Sequence, residues 1–374
     1  MKKTLQALLA LRPKKKLNGE YLLSLGASIL AALLVGAVIM LVSGHNPLEG
    51  YRAMLHGALG TQRNLGNTLA KSMTLCLTAL AMAVAARAGI FNVGGEGQLY
   101  LGAIASALVG AALSGMTPWL VVPLCLLAAA AAGGLYAFVP AWLKVRLKVN
   151  EVITTIMLNS AAIYFCTFLA NGPFKTDERG IASGTAQLDA EFMFPKLIKL
   201  SNLTSAIFIA AVLALLVWYV MQRTSVGFEL KLTGQNPRFA SYMGIKTGRL
   251  ALVSMVVSGA ICGLCGMFEV FGLHKRFVET VSSEFYFDGM LVAMIMRYDP
   301  LGIVLMSLFF GVLKIGAMGM ETVGIPSETI LIVESIIIFF MAAESGISRA
   351  LREKRARRRA RRQSEIMLEK GAGA

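Results

Sequence analysis

The stretch R-A-G-I-F-N-V-G-G-E-G-Q-L-Y-L-G, Arg87 to Gly102, lies between two long apolar runs and decides how the chain is read. Its neighbours are long enough to cross a bilayer, yet Asn92, Glu96 and Gln98 stand where lipid favours leucine. The flanking runs settle the class first. Hydrophobic residues make up 56% of the 374 residues and charged residues 15%, with a mean hydropathy of +0.66. A soluble chain carries about a quarter charged residues. A hydrocarbon core about 30 Å thick needs roughly 20 apolar residues per helix. Lipid leaves a choice between helices and a closed barrel. The runs are continuous rather than alternating, so the fold class is an all-α polytopic membrane protein.

Working outward, apolar runs fall at 21–43, 63–86, 90–113, 118–139, 152–171, 203–221, 249–272, 286–297, 301–322 and 326–343, about ten spans. An even number puts both ends on one side. Residues 1–20 hold six Lys/Arg against Glu20, and 345–374 hold ten against three Glu, which is +12 of the net +15. Lys and Arg stay in the cytoplasm, so the N- and C-termini are expected there. The connections at 139–151 (Lys144, Arg146, Lys148) and 222–249 fall inside with them. The balanced 172–201 loop falls outside. The N-terminus lacks a short apolar stretch with a small-residue cleavage site, so the first helix is expected to be a retained anchor. The organisation is then a basic N-terminus at 1–20, a transmembrane domain at 21–345 and a basic tail at 346–374. Charge confined to the ends of a membrane chain serves topology and lipid contact, the arginine-rich tail suiting anionic lipid, and no nucleic-acid partner is expected. The run at 286–297 is short for a crossing and suits a half-helix covered by protein. The stretch 46–60 reads as a short interfacial helix with Pro47 in its first turn.

Several chemistries are excluded. The chain lacks a G-x-x-x-x-G-K-[ST] phosphate loop and H-E-x-x-H, and G-G-E-G does not follow a strand in a βαβ unit. Cys262 and Cys265 have CxxC spacing inside an apolar helix with no second pair, which fits small residues at a helix contact rather than metal or redox chemistry. With no nucleophile–base or metal set, an enzyme is not expected, nor is a cofactor on this chain. Energy must come from another chain or from an ion gradient.

The segment G-F-E-L-K-L-T-G-Q-N-P-R-F-A-S-Y-M-G-I-K-T-G-R, 227–249, is more structured than a return between spans requires. Asn236 can cap a helix that starts at Pro237, runs Arg238 to Met243 and stops at Gly244. Arg238, Phe239 and Tyr242 give it the make-up of a docking helix, since aromatics and Arg are enriched at interface cores.

Four motifs now stand in order: F-N-V-G-G-E-G-Q, N-E-V-I-T-T-I-M-L-N (150–159), T-G-Q-N-P-R-F-A-S-Y-M-G-I (233–245) and F-D-G-M-L-V-A-M-I-M-R-Y-D-P-L-G-I (287–303). Together they resemble a permease subunit of bacterial ABC importers, in the branched-chain amino acid and simple-sugar permease superfamily. Within it the likeness is to nucleoside-type permeases that work with a basic-membrane-protein lipoprotein. Two departures stand out: S-M-T-L-C-L before Arg87, where relatives often carry a proline, and the long arginine-rich tail.

The resemblance implies a type II ABC importer-like fold in the bacterial plasma membrane. It implies an ABC ATPase subunit that hydrolyses ATP, a second and non-identical permease, and a substrate-binding lipoprotein as partners. Gly234, Asn236, Pro237, Arg238, Tyr242 and Gly244 would then couple the ATPase to the membrane spans. Intramembrane polar groups face a bundle interior or a water-filled cavity. Asn92, Glu96, Gln98, Asn150, Glu151 and Asn159, with Glu269, are therefore candidates for a nucleoside path. The alternative for each is a helix-to-helix hydrogen bond. Gly94, Gly95, Gly97 and the run S-G-A-I-C-G-L-C-G (258–266) suit close helix approach. Other readings are import of a simple sugar or branched-chain amino acid, and, in another class, an ion-gradient-driven secondary transporter.

Overall fold

The computed structural model describes residues 19–176, 184–326 and 328–340, so the basic tail, most of the basic N-terminus and the charged centre of the 172–201 loop lie outside the described residues. Two compact units result, one drawn from the described residues up to 50 and from 325 onward, and one from the described residues of 51–324. The first contains helix α1, Gly19–Val42, and a helical segment at 328–340.

The second carries the rest. After α2, Pro47–Leu59, come α3, Gln62–Arg87, and α4, Gly95–Ala112. Next are α5, Pro118–Leu147, α6, Glu151–Asn171, and α7, Ala206–Arg223. Two short helices follow, α8, Ser225–Gln235, and α9, Pro237–Tyr242. Then come α10, Thr247–Glu269, with a π-turn to His274, α11, Phe285–Ile295, and α12, Pro300–Glu321. Among the described residues the β contacts are isolated bridges, as between Gly184 and Val278.

A helix lies at each place where the sequence puts a span, but not every one is long enough to cross. Among the described residues six helices are long and apolar enough, or seven if α1 and α2 form one bent span. The expected span at 90–113 begins only at Gly95, because residues 90–94 leave the helix to place Asn92 in the interior. The run at 286–297 is an 11-residue helix, about 16 Å long at 1.5 Å per residue and half a bilayer. The interfacial helix runs Pro47–Leu59, with Pro47 at its start as the sequence suggests.

α10 is the centre of the second unit and packs against α3, α4 and α5. Lipid gives helices no hydrophobic reason to associate, so contact depends on close backbone approach. A Cβ on Gly263 would lie 2.1 Å from the Ala129 carbonyl oxygen of α5, and one on Gly102 of α4 would lie 2.2 Å from the Gly263 Cα. Gly259 meets the Gly133 carbonyl in the same way, at 2.4 Å. The small-residue run at 258–266 is thus a three-way crossing. At one end of the bundle, Asp189 of the 172–201 loop accepts hydrogen bonds from the Gly115 amide (2.9 Å) and the Ser114 hydroxyl (2.8 Å). These two donors hold its carboxyl below the usual carboxylate range.

The crossing predicts a sharp contrast. Gly263→Leu overpacks a backbone contact and should cost about 1–3 kcal/mol or prevent folding. Gly26→Ala in α1, where an added Cβ meets nothing within 4 Å, should leave stability unchanged or slightly raised. Thermal unfolding of the detergent-purified protein, followed by size-exclusion chromatography, checks both.

Candidate functional site

Two helices, α4 and α11, begin inside the bundle, and each leaves its first N–H groups without a helical partner. Water cannot supply the missing acceptors at that depth. The chain supplies them from the other side of the same junction. Glu96, in the first turn of α4, accepts from the Tyr286 amide at Oε2 (2.9 Å), in the first turn of α11. Ser282 Oγ accepts from the Phe285 amide at 3.2 Å. In return the Tyr286 hydroxyl donates to the Asn92 carbonyl. Its ring fills the space beside Gly95, where a Cβ would lie 2.0 Å from Cε2. Gly95 is there because Tyr286 is.

The start of α4 is capped in turn. Asn92 Oδ1 accepts from the Gly94 amide at 3.1 Å, and its Nδ2 donates to Gln98 Oε1 and to Ser258 Oγ, each at 2.9 Å. Thr155 Oγ1 accepts from the Val93 amide at 3.3 Å, and Asn159 Oδ1 accepts from the Gly97 amide. Asn92, Glu96, Gln98 and Asn159 are all buried, and they converge on one cluster between α4, α6, α10 and α11. Asn150 and Glu151 are not part of it. Asn150 Oδ1 caps α6 by accepting from the Val152 amide at 2.9 Å, and Glu151 pairs with Lys144 at 2.6 Å across the α5–α6 connection.

Tyr286, Ser258, Thr155 and Ser282 belong to this junction but are not marked by the sequence pattern. Tyr286 reads as one more apolar position of a span, and the serines and threonine as small residues. The one available signal is the shortness of the run at 286–297, which announces a helix that starts inside.

A second interior group lies along α3. Glu269 Oε1 accepts from the Thr74 hydroxyl at 2.6 Å, Lys314 pairs with Asp288 at 3.0 Å, and the Lys71 ammonium sits 3.5 Å from the centroid of the Phe285 ring. Of these the sequence singled out only Glu269. Among the described residues no group of three or more His, Cys, Asp or Glu is placed to hold a metal ion. Cys262 and Cys265 are buried free thiols.

At the Arg87 end of the bundle, α9 has the form that the sequence gives it. Asn236 Oδ1 accepts from the Phe239 amide at 3.0 Å, Pro237 is the first helical residue, and Gly244 has φ +81°. Arg238 is exposed, as is Tyr242 at 88%, while Ala240 faces inward and is buried. The preceding helix α8 was not foreseen; Thr224 caps it by accepting from the Gly227 amide at 3.3 Å. Gly234 is a packing residue at its far end, since a Cβ there would lie 2.4 Å from the Arg87 carbonyl oxygen. Arg87 in turn donates to the carbonyls of Met221 and Tyr298, both at 3.4 Å, and Gln222 donates to Asp299 at 3.0 Å. The exposed helix is therefore tied, through α8, to the ends of α3 and α7 and to the α11–α12 link.

The junction predicts a distinction between two variants. Glu96→Ala leaves the Tyr286 amide without an acceptor and should cost about 1–3 kcal/mol. Glu96→Gln keeps a carbonyl oxygen in reach and should lose much less. Unfolding temperatures of the two purified variants against the parent check the ranking.

Residues 64–342 match the family described as branched-chain amino acid transport system / permease component. The nucleoside ABC transporter permease protein NupB of Lactococcus lactis is 36% identical over 85% of this chain and 89% of its own length. The guanosine ABC transporter permease protein NupP of Bacillus subtilis is 36% identical over 86% of this chain and 92% of its own. The glucose ABC transporter permease protein TsgB13 of Haloferax volcanii is 29% identical over 86% and 87%. No solved structure matches the chain to a significant degree. With several apolar helices, a glycine-built crossing and these relatives along most of its length, the chain is a multi-pass membrane protein that belongs to the branched-chain amino acid transport system permease family.

Proposed function

We propose that this chain is the membrane-spanning subunit of an ATP-driven importer of nucleosides in a bacterial plasma membrane. The observation that carries the substrate is the 36% identity, along most of both chains, to relatives named for nucleosides and for guanosine. A relative named for glucose is more distant, at 29%. Sugar import is therefore the second reading.

The working cycle needs three partners. An ABC ATPase subunit would receive the exposed face of α9, with Arg238 and Tyr242 as contacts, Asn236 and Pro237 setting the helix start, and Gly244 ending it. A second, non-identical permease would complete the path, and a substrate-binding lipoprotein would deliver the solute. Closure of the ATPases would push α9, and the push would reach the bundle through α8, where Gly234 abuts Arg87. A rigid-body change of this kind links ATP binding to the accessible side of the path. The exposed helix favours this over an ion-gradient-driven transporter, which has no use for it.

The test is uptake of labelled guanosine and uridine by cells producing the chain with its ATPase, second permease and lipoprotein. Uptake should depend on ATP hydrolysis and persist when the ion gradient is collapsed. Uptake of glucose or leucine alone would assign a different substrate, and uptake with a hydrolysis-dead ATPase would remove the ABC mechanism. Arg238→Glu should lower uptake at least about tenfold and weaken co-purification of the ATPase, as removal of a hot-spot arginine does. Gly234→Leu should lower uptake similarly while the ATPase stays bound.

A further inference from the structure

The polar side chains of the junction around Glu96 serve the starts of α4 and α11. Each of Asn92, Gln98, Asn159 and Glu96 is buried and already engaged with backbone or with another side chain. The group along α3 is different. Lys71 lies nine residues beyond Gln62 and sixteen before Arg87, so about 14 Å and 24 Å along the helix from its two ends. Glu269, Asp288 and Lys314 are the ionisable side chains, besides the Cys265 thiol, near enough to act on it electrostatically. They arrive on α10, α11 and α12, so four separate helices have each placed a charge at one spot. Ionisable groups at membrane depth are costly and face a bundle interior or an aqueous cavity.

Two features mark the group as open to a partner. None of the four is fully enclosed: the Lys314 and Asp288 side chains keep 26% and 13% of their surface, and Lys71 and Glu269 are half-buried. Acyl chains cannot cover such surface, so water or another chain must. Second, Lys71 is under-used. Its ammonium has three donors, yet its close neighbour is the face of the Phe285 ring, and among the described residues no carboxylate lies within ion-pair distance of it. Glu269 spends Oε1 on Thr74.

We propose that Lys71 and Glu269 form a substrate-contacting site on the wall of the translocation path, held in place by Phe285, Thr74 and the Asp288–Lys314 pair. The chemistry selects an uncharged, hydroxylated solute. Two ammonium groups and two carboxylates sum to zero, so neither an anion nor a cation is drawn in by net charge. Thr74, which holds Glu269, lies three residues from Lys71 on α3, and a donor and an acceptor about one helical turn apart suit a diol, whose hydroxyls accept from the ammonium and donate to the carboxylate. The ribose of a nucleoside presents such a diol; a nucleotide would add the charge of its phosphate to a group whose own charges already balance. The proposal rests on the nucleoside reading and deepens it.

The experiment uses the assembled transporter in membrane vesicles, with Cys76, the partly exposed native thiol, replaced by Ala as background. Uptake of guanosine by the parent is measured first; no uptake there ends the nucleoside reading, and the site is then judged on reactivity alone, an unreactive cysteine at position 71 overturning it. Lys71→Cys should react with a membrane-impermeant, positively charged thiol reagent, and the reaction should be slowed by guanosine but not by GMP. A cysteine that does not react, or that reacts equally fast with guanosine present, overturns the site. In uptake, Lys71→Met should lose about tenfold or more, the effect of one charge-assisted hydrogen bond, mainly through KM. Lys71→Arg should retain most uptake. A purely structural lysine would instead lower the amount of assembled transporter, read by ATPase co-purification, without changing KM.

Discussion

The structure turns on one hydrogen bond, from the Tyr286 amide to the Glu96 carboxylate, across 190 positions of sequence. A helix that begins inside a membrane exposes N–H groups that only protein can satisfy. α11 begins in that way, at a residue preceded by Glu284 in the left-handed region at φ 59°. Without Glu96 and Ser282 the half-helix would have no acceptors for its first amides and no reason to start where it does. Glu96 also sits in the first turn of its own helix, where a carboxylate is favoured by the partial positive charge of the N-terminus. One side chain thus serves two helix starts.

Around that bond the remaining contacts are set by size rather than polarity. Tyr286 can lie over the start of α4 only because Gly95 has no side chain, and α10 crosses α4 and α5 at Gly102, Gly133, Gly259, Gly263 and Gly266. Close approach also brings Ser258 of α10 within reach of Asn92, so the polar junction depends on the glycine crossing beneath it. Packing and capping are one device here. The glycines fix the separation, and the polar groups then fix which residues face each other.

The parts of this arrangement that were legible in the sequence are local. Pro47 starts a helix, Asn236 and Pro237 start another, and Gly244 ends it, because caps and breakers act within a few residues. The small-residue run at 258–266 announces a crossing for the same reason. What was not legible is pairing between distant segments. Glu96, Asn92, Gln98 and Asn159 stand out as polar, but their partners are a tyrosine amide, a serine and two glycine amides that no pattern distinguishes. Asn150 and Glu151 stand out equally, yet they serve a cap and an ion pair at a connection. Lys71, Asp288 and Lys314 each look like an isolated charge until the fold brings them together. Hydropathy measures apolar length and not where a helix starts, so it does not mark the helices that begin at Gly95 and Phe285.

The two ends of α11 connect these groups. Its first turn is held by Glu96 and carries Phe285, against which Lys71 rests. Beyond its last residue, the Tyr298 carbonyl accepts from Arg87, whose own carbonyl lies against Gly234 of α8. A displacement of α9 and α8 would therefore meet the foot of the half-helix directly, and its head bears on the Lys71 group. A full-length helix in the same position would be fixed at both membrane faces. The 11-residue helix is held instead by hydrogen bonds at its ends, by the Asp288–Lys314 pair and by the close contact of Gly289 with Thr78 of α3. The polar junction is then more than a repair for missing water: it fixes one end of the short helix that links the Arg87 end of the bundle to the charged group around Lys71.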